Sequence, residues 1–294
     1  MKILHFSDLH LGVDNYGTMD AETGVSSRSL DVLRVLDIIV DRAIEDAADV
    51  VLFAGDAFKN RDPNPTLQRE FARRVARLVK AEIPIVLLVG NHDMPGALGR
   101  ATAAEIYEVL DIPRVHVARY IESIRVPTKS GPVQVIAVPW ITRSMALVQE
   151  TFRALGDVEL DEAIRTAISH QVRQLASDLD PALPAVLLAH VSLQGADFGL
   201  ERSLMLGRDI TVGSDDLNAS AFDFVALGHI HKHQVLGLRP PVVYAGSPER
   251  IDFGEELEDK GYVWIEIVTG PDGAKSTSWE FVKLPARRFE TLRI

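Results

Sequence analysis

Five short apolar runs in this chain end in the same kind of residue, and that repetition limits the fold more than any other feature. Lys2–Phe6 leads into Asp8-Leu9-His10, and Val50–Ala54 into Gly55-Asp56. Ile85–Val89 leads into Gly90-Asn91-His92-Asp93, Ala185–Ala189 into His190, and Phe224–Leu227 into Gly228-His229-Ile230-His231. Short runs rich in β-branched residues and leucine, closed by glycine or a polar side chain, read as buried strands. Each of these strands therefore delivers a side chain able to bind a metal at its carboxyl end.

Between the strands lie segments with helical spacing. In Leu30–Ala47, Val32, Val35, Leu36, Ile39 and Ala43 recur on one face. Pro63–Lys80 carries Phe71, Val75, Leu78 and Val79 in the same way, with Pro65 near its start. Asp161–Ser177 is a third amphipathic helix, and Ala101–Leu110 a weaker, alanine-rich one. Val115–Tyr120, Ile121–Val126 and Val133–Val138 read as strands. After His231 the pattern changes to strands joined by loops: Gln234–Leu238, Val242–Ala245, Tyr262–Val268 and Ser276–Val282, with a hairpin turn at Gly270-Pro271-Asp272-Gly273. Neighbours of this kind pair antiparallel. The alternation predicts an α/β fold.

In open α/β sheets, sites form beyond the carboxyl ends of the strands, so groups scattered along the sequence would gather at one edge. Extended geometry would place Asp8 with His10, and His229 with His231, on the same side. Glycines 55, 90 and 228 would allow tight turns just before the ligands. Four His, two Asp and one Asn are too many donors for one ion and suit two divalent ions sharing a carboxylate. Two ions roughly 3.5–4 Å apart are the usual arrangement for phosphoester hydrolysis. Asp56, flanked in sequence by both halves of the set, is the natural bridge. A single Asp at a strand end is more often a cap, and a single buried His more often only hydrogen-bonded. Agreement at five strand ends is what favours a site.

These residues resemble the signature motifs of the calcineurin-like metallophosphoesterases, in the family's order over residues 8–231. The resemblance implies an α/β fold built as a two-sheet β-sandwich flanked by helices. It implies that Asp8, His10, Asp56 and His231 hold one metal, and Asp56, Asn91, His190 and His229 the other. His92 would protonate the leaving oxygen or stabilise charge on the phosphate, and Asp93 would orient the His92 ring. The nucleophile would derive from water, with no covalent enzyme intermediate.

Within that superfamily, His5–Gly12, Phe224–Lys232 and above all Tyr244-Ala245-Gly246-Ser247-Pro248-Glu249-Arg250-Ile251-Asp252-Phe253-Gly254-Glu255 are similar to the SbcD-type DNA repair exonucleases. That likeness implies a manganese-dependent nuclease, 3′–5′ exonuclease on duplex ends and endonuclease on single strands. It also implies DNA as substrate, an SbcC-type ATPase as partner, and a homodimer formed through Pro63–Lys80 and the stretch near Leu98–Leu110. The family continues into a DNA-capping domain and an ATPase-binding tail. Residues 1–284 are read as the nuclease domain, and 285–294 as a junction toward a cap that this sequence lacks, by truncation or as a short natural form. Lys59 stands where many relatives carry a His; with Arg61 it offers point charges for phosphate, against the plainer reading of a solvated loop lysine.

Composition bears on the substrate. The formal net charge of -11 is the wrong sign for a DNA-binding surface and favours the alternative, a phosphoesterase for a small substrate such as a cyclic nucleotide, or a protein phosphatase. Bound cations would add positive charge inside the cleft. A non-catalytic scaffold is disfavoured because no ligand position is lost. The absence of cysteine excludes disulfides and thiolate sites. The start is too soon polar for a signal peptide, and no apolar run approaches a membrane span, so the chain is read as soluble and cytoplasmic. His5, His116 and His170 are assigned internal or surface roles. His233, Asn15 and Tyr16 are weighed as rim residues against surface or turn roles, Glu249 and Arg250 as an internal ion pair, and Trp140, Trp264 and Trp279 as core.

Overall fold

A computed structural model describes residues 1–95, 100–147, 152–199 and 209–292. Its elements in chain order are β1 (Lys2–Phe6), α1 (Ser27–Glu45), β2 (Val50–Phe53), α2 (Pro65–Lys80), β3 (Ile85–Leu88), α3 (Glu105–Val109), β4 (Val115–Ala118), β5 (Glu122–Val126) and β6 (Val133–Val138). There follow α4 (Arg143–Ala146), α5 (Asp157–Ser177), β7 (Ala185–His190), β8 (Ser192–Leu193), β9 (Thr211–Val212), β10 (Phe224–Gly228), β11 (Gln234–Leu238), β12 (Pro241–Tyr244), β13 (Gly261–Thr269) and β14 (Lys275–Lys283). The helices begin where side chains can cap them. Ser26 accepts from Ser29 N at 3.1 Å, so that α1 begins at Ser27, three residues upstream of its expected start at Leu30, and Asn64 accepts from Leu67 N at 3.0 Å just before Pro65.

Two six-stranded mixed sheets lie face to face, in the orders β14-β13-β1-β2-β3-β4 and β11-β12-β10-β7-β6-β5. The strands that carry ligands are parallel and central. In the first sheet β1, β2 and β3 run together, and in the second β7 pairs with β10 so that His190 sits beside Gly228. The late strands pair antiparallel with each other, β11 with β12 and β13 with β14. They also flank the parallel cores, β12 running parallel to β10 and β13 antiparallel to β1.

Alternation along β1 shows how the layers are built. Ile3 points into the core between the sheets with Leu52, Val86, Leu188 and Ala226, while Leu4 and Phe6 point outward under α1 and α2. On the far side, Leu187, Val225 and Leu227 meet Ile164, Ile168 and Val172 of α5. Central strands buried on both faces explain the unbroken apolar runs in the sequence. His5, on the inward face, is completely buried, and its Nε2 donates to the Leu227 carbonyl at 3.2 Å, joining the two sheets. Among the described residues no helix is long and apolar enough to cross a membrane.

Candidate metal centre

The carboxyl ends of β1, β2 and β3 from one sheet meet those of β7 and β10 from the other. The backbone reaches the site through left-handed turns: φ is 54° at Asp8, 45° at His10, 60° at Asp56 and 101° at His229. The extended i, i+2 geometry expected of the Asp8/His10 and His229/His231 pairs is therefore not how they converge. The chain has already left the sheet and curls so that each side chain points into the gap between the sheets. Non-glycine residues in this region cost about 1–3 kcal/mol each and persist where surrounding contacts hold them. Those contacts are present. Asp8 N donates to Gly55 O at 2.9 Å, His10 N to Asp56 O at 3.1 Å, and His229 N to Asp8 Oδ1 at 3.0 Å. Gly90 is required by close approach, because a Cβ there would lie 2.1 Å from Asp56 Oδ1.

The donors form two adjoining groups. In one, His10 Nε2 and His231 Nε2 lie 2.9 Å apart, with Asp8 beside them. In the other, Asn91 Oδ1 is 2.9 Å from His190 Nε2 and 3.0 Å from His229 Nδ1. Asp56 Oδ2 lies between, 3.6 Å from His10 Nε2 and 3.6 Å from His190 Nε2. The three histidines His190, His229 and His231 have the outer ring nitrogen tied to an acceptor: His190 Nδ1 to Ala54 O at 2.6 Å, His229 Nε2 to Asp209 at 2.9 Å, and His231 Nδ1 to Glu255 at 2.9 Å. A proton held on the outer nitrogen leaves a lone pair on the inner one, as a metal ligand requires. Burial and then the neighbouring imidazoles hold His10 and His190 well below the ordinary His range. Burial, then Asp93 and Asp8, pushes Asp56 well above the carboxylate range. Neutral imidazoles beside carboxylates strained by burial make a donor set suited to divalent cations, whose charge reverses that penalty. The residues fit two such ions.

His92 stands at the edge of both groups, its ring edge-on to His10 with centroids 4.6 Å apart. Its Nδ1 donates to the Lys59 carbonyl at 2.7 Å, and its N–H donates to Asp56 Oδ1 at 2.8 Å. Asp93, read from sequence as orienting the His92 ring, lies elsewhere. Its carboxylate accepts from Asp56 N at 2.8 Å, Ala57 N at 3.0 Å and Gly90 N at 3.0 Å, clamping the turns after β2 and β3 together. Ring orientation falls to Lys59, through its backbone; its side chain lies 3.5 Å from Asp14.

Several residues of the site carry no signal in the sequence. Asp209 bridges His229 and Ser192. Glu255 is quoted in the SbcD-like segment, but nothing local reveals that it holds His231. Burial would raise its pKa; the His231 and Lys260 contacts override this and bring it down to about 2. Trp140, assigned to the core, is only half-buried, and its ring lies 4.5 Å from that of His229. Glu249 and Arg250 are not paired with each other through their side chains: Arg250 reaches backbone carbonyls of Glu255, Glu258 and Arg287. His233 stacks on Phe281 at 3.9 Å, and Tyr16 packs on Phe253. Leu98 lies outside the described residues.

Comparison with known proteins agrees with this geometry. A family model described as calcineurin-like phosphoesterase matches residues 1–233. The chain is 28% identical over 296 residues to the SbcD subunit of the nuclease SbcCD from Escherichia coli K12, covering 97% of this chain and 68% of that one. It is 29% identical over 295 residues to the protein of the same name from Bacillus subtilis, covering 97% of this chain and 70% of that one. A dimetal phosphatase from Danio rerio superposes with a TM-score of 0.47 at 10% identity, covering 90% of this chain and 92% of that one, too loose a match to argue from. With the family model spanning most of the chain and its motifs gathered at one edge of the sandwich, the chain belongs to the calcineurin-like phosphoesterase family and is a metal-dependent hydrolase of phosphoesters.

Proposed function

We propose that this chain is a two-metal DNA nuclease of the SbcD type, a 3′–5′ exonuclease on duplex ends and an endonuclease on single strands, with Mn²⁺ as its metal. The observation that carries the phosphodiesterase chemistry is Asp56 Oδ2, equidistant from His10 and His190 between two groups of donors, with His92 beside them. The preference for DNA rests on the two nuclease relatives, which align over nearly the whole chain. Asp8, His10, Asp56 and His231 would hold one ion, and Asp56, Asn91, His190 and His229 the other.

Two divalent cations, when bound, supply positive charge to the phosphoryl oxygens and make water a better nucleophile. The chain's own residues do the rest. The Lys59 carbonyl fixes the His92 tautomer with the proton on Nδ1, leaving Nε2 to face the cluster. Burial lowers the His92 pKa, and an arriving phosphate anion raises it, so His92 takes up its second proton as substrate binds and returns it to the leaving oxygen. Asp93 keeps the turns bearing Asp56 and Asn91 in register.

The test is hydrolysis of end-labelled duplex and single-stranded DNA in Mn²⁺, beside a small phosphodiester and a chelator control. Chelator-sensitive DNA cleavage supports the proposal. Turnover of the small ester alone favours the second reading, a small-substrate phosphoesterase, to which the net charge of -11 lends weight.

We extend the proposal to cytoplasmic location, an SbcC-type ATPase partner and a homodimer. Ile106 and Leu110, exposed near α3, adjoin Ala72 and Ala76 of α2 along one apolar groove, which suits a second copy. Leu110→Glu should turn a dimer into a slower-sedimenting monomer if that face joins two copies, and an unchanged sedimentation coefficient would remove this face as the interface.

A further inference from the structure

The segment after β14 lies as a strap across the loop 246–260. Leu284 N donates to Lys260 O at 2.8 Å, and Thr291 N and Oγ1 each reach the Glu256 carboxylate at 2.7 Å. Between these ties, buried Glu249 accepts from Arg250 N at 2.9 Å and from Arg287 N at 2.8 Å. The Arg250 guanidinium spans loop and strap, donating to Glu255 O at 3.1 Å, Glu258 O at 2.7 Å and Arg287 O at 2.8 Å. Arg28 of α1, also buried, donates to Arg250 O. Phe289 anchors the strap, its ring centroid 4.9 Å from Phe253 and 6.2 Å from Tyr16.

The loop under this strap holds one metal ligand. Glu255 accepts from His231 Nδ1, and Lys260 Nζ lies 2.7 Å from Glu255 Oε2 and 3.1 Å from His231 O. Ser247 N donates to the same carbonyl at 2.9 Å. Tyr16, against which Phe289 packs, belongs to the segment that leaves His10. The strap thus bears on the His10 and His231 half of the centre, whereas Ala54, Asp209 and Trp140 support His190 and His229.

We propose that Arg250 and the strap 284–291 are positioning elements for the His10–His231 half of the centre, so that loosening them weakens one cation and spares the other. The proposal rests on the two-cation reading and not on DNA as the substrate. Its physical basis is the planar guanidinium, which satisfies three carbonyls at once; a lysine at that place cannot span them. Loss of an outer support typically weakens a metal site by roughly 10–100-fold.

The experiment is Mn²⁺ titration calorimetry of the full chain carrying Arg250→Lys, in two backgrounds that each retain one half of the centre. With His229→Ala, where the His10–His231 half remains, Arg250→Lys should weaken the remaining site by roughly 10–100-fold; with His231→Ala it should change affinity by less than about twofold. Equal weakening in both backgrounds, or no change in either, overturns the proposal. Circular dichroism melting monitors the fold. Should Arg250→Lys fail to fold, Glu256→Gln, which loosens the tie from Thr291 N and Oγ1 to the Glu256 carboxylate, should show the same one-sided effect at smaller size, and its absence there overturns the proposal equally. Loss of DNA cleavage with both metal sites intact would count against the nuclease reading alone.

Discussion

The two halves of the proposed metal centre share Asp56 and carry two histidines each, with Asp8 in one where the other has Asn91, but they are supported in opposite ways. His190 and His229 close adjacent parallel strands of one sheet; His190 leans on the Ala54 carbonyl across the sandwich, and His229 on Asp209 and Trp140. His10 and His231 stand on turns outside the sheets, and His231 depends on a loop that is fixed by Lys260, Arg250 and the strap. One half inherits its rigidity from strand pairing, the other from side chains that must be placed one by one. The difference teaches that, on the proposed assignment, a nearly symmetric ligand set rests on unequal supports, the loop-borne half being the one that a distant substitution would reach.

The comparison can be broken most completely at the shared carboxylate. Asp56→Ala should remove both ions and abolish hydrolysis, because neither half is complete without it; elemental analysis finding two tightly held ions would show that Asp56 is no bridge. His92→Ala should leave both halves loaded while hydrolysis drops by roughly 10²–10⁴-fold. Metal loss in that variant would show that the ring is a ligand and not a proton donor. A finer separation comes from the outer supports. Glu255→Gln should weaken only the His231 half and Asp209→Asn only the His229 half, each by roughly 10-fold. Paired Mn²⁺ isotherms in which either variant moves both sites equally would merge the halves into one unit.

The smallest effect on hydrolysis concerns the bond that joins the sheets beneath both halves. Burial lowers the His5 pKa from 6.5 to about 4. The folded state therefore keeps His5 neutral while the unfolded chain takes up a proton below about pH 6.5, so stability falls as pH drops from there through about 4. The difference amounts to about 3 kcal/mol at the acid end. His5→Asn should leave hydrolysis at neutral pH little changed and make the acid side of the denaturation profile shallower. An unchanged acid slope would mean that folded His5 takes up its proton over the same pH range as the unfolded chain.

Much of the fold was legible because it is locally encoded. Central strands buried on both faces must be apolar throughout, and α1, α2 and α5 bury one stripe, so period and run length located these elements within a few residues. The start of α1 was placed late because Ser26 caps it ahead of the apolar stripe. The weak segment at 101–110 proved to be the short α3, with Tyr107 packed inward and Ile106 and Leu110 left outside. Trp140 differs from the expected core position because a half-buried aromatic beside His229 has the same composition signal as a core aromatic.

The sequence by itself determined which side chains can bind metal and the strand ends that carry them, since a strand followed by a turn and a polar residue is written in consecutive letters. It also carried the family, through motifs in order from Asp8 to His231. Only the tertiary structure decided how they meet. Asp8 accepts from His229 across 221 positions of sequence, and His10 meets His231 at the same separation. Contacts so far apart leave no periodicity for a linear reading to detect. The left-handed turns at Asp8, His10, Asp56 and His229, the exchange of Asp93 for Lys59 beside the His92 ring, and the support of His231 by Glu255, Lys260 and Arg250 exist only once the two sheets are packed. Identity is local chemistry; the geometry that makes a catalytic centre of it belongs to the closed sandwich.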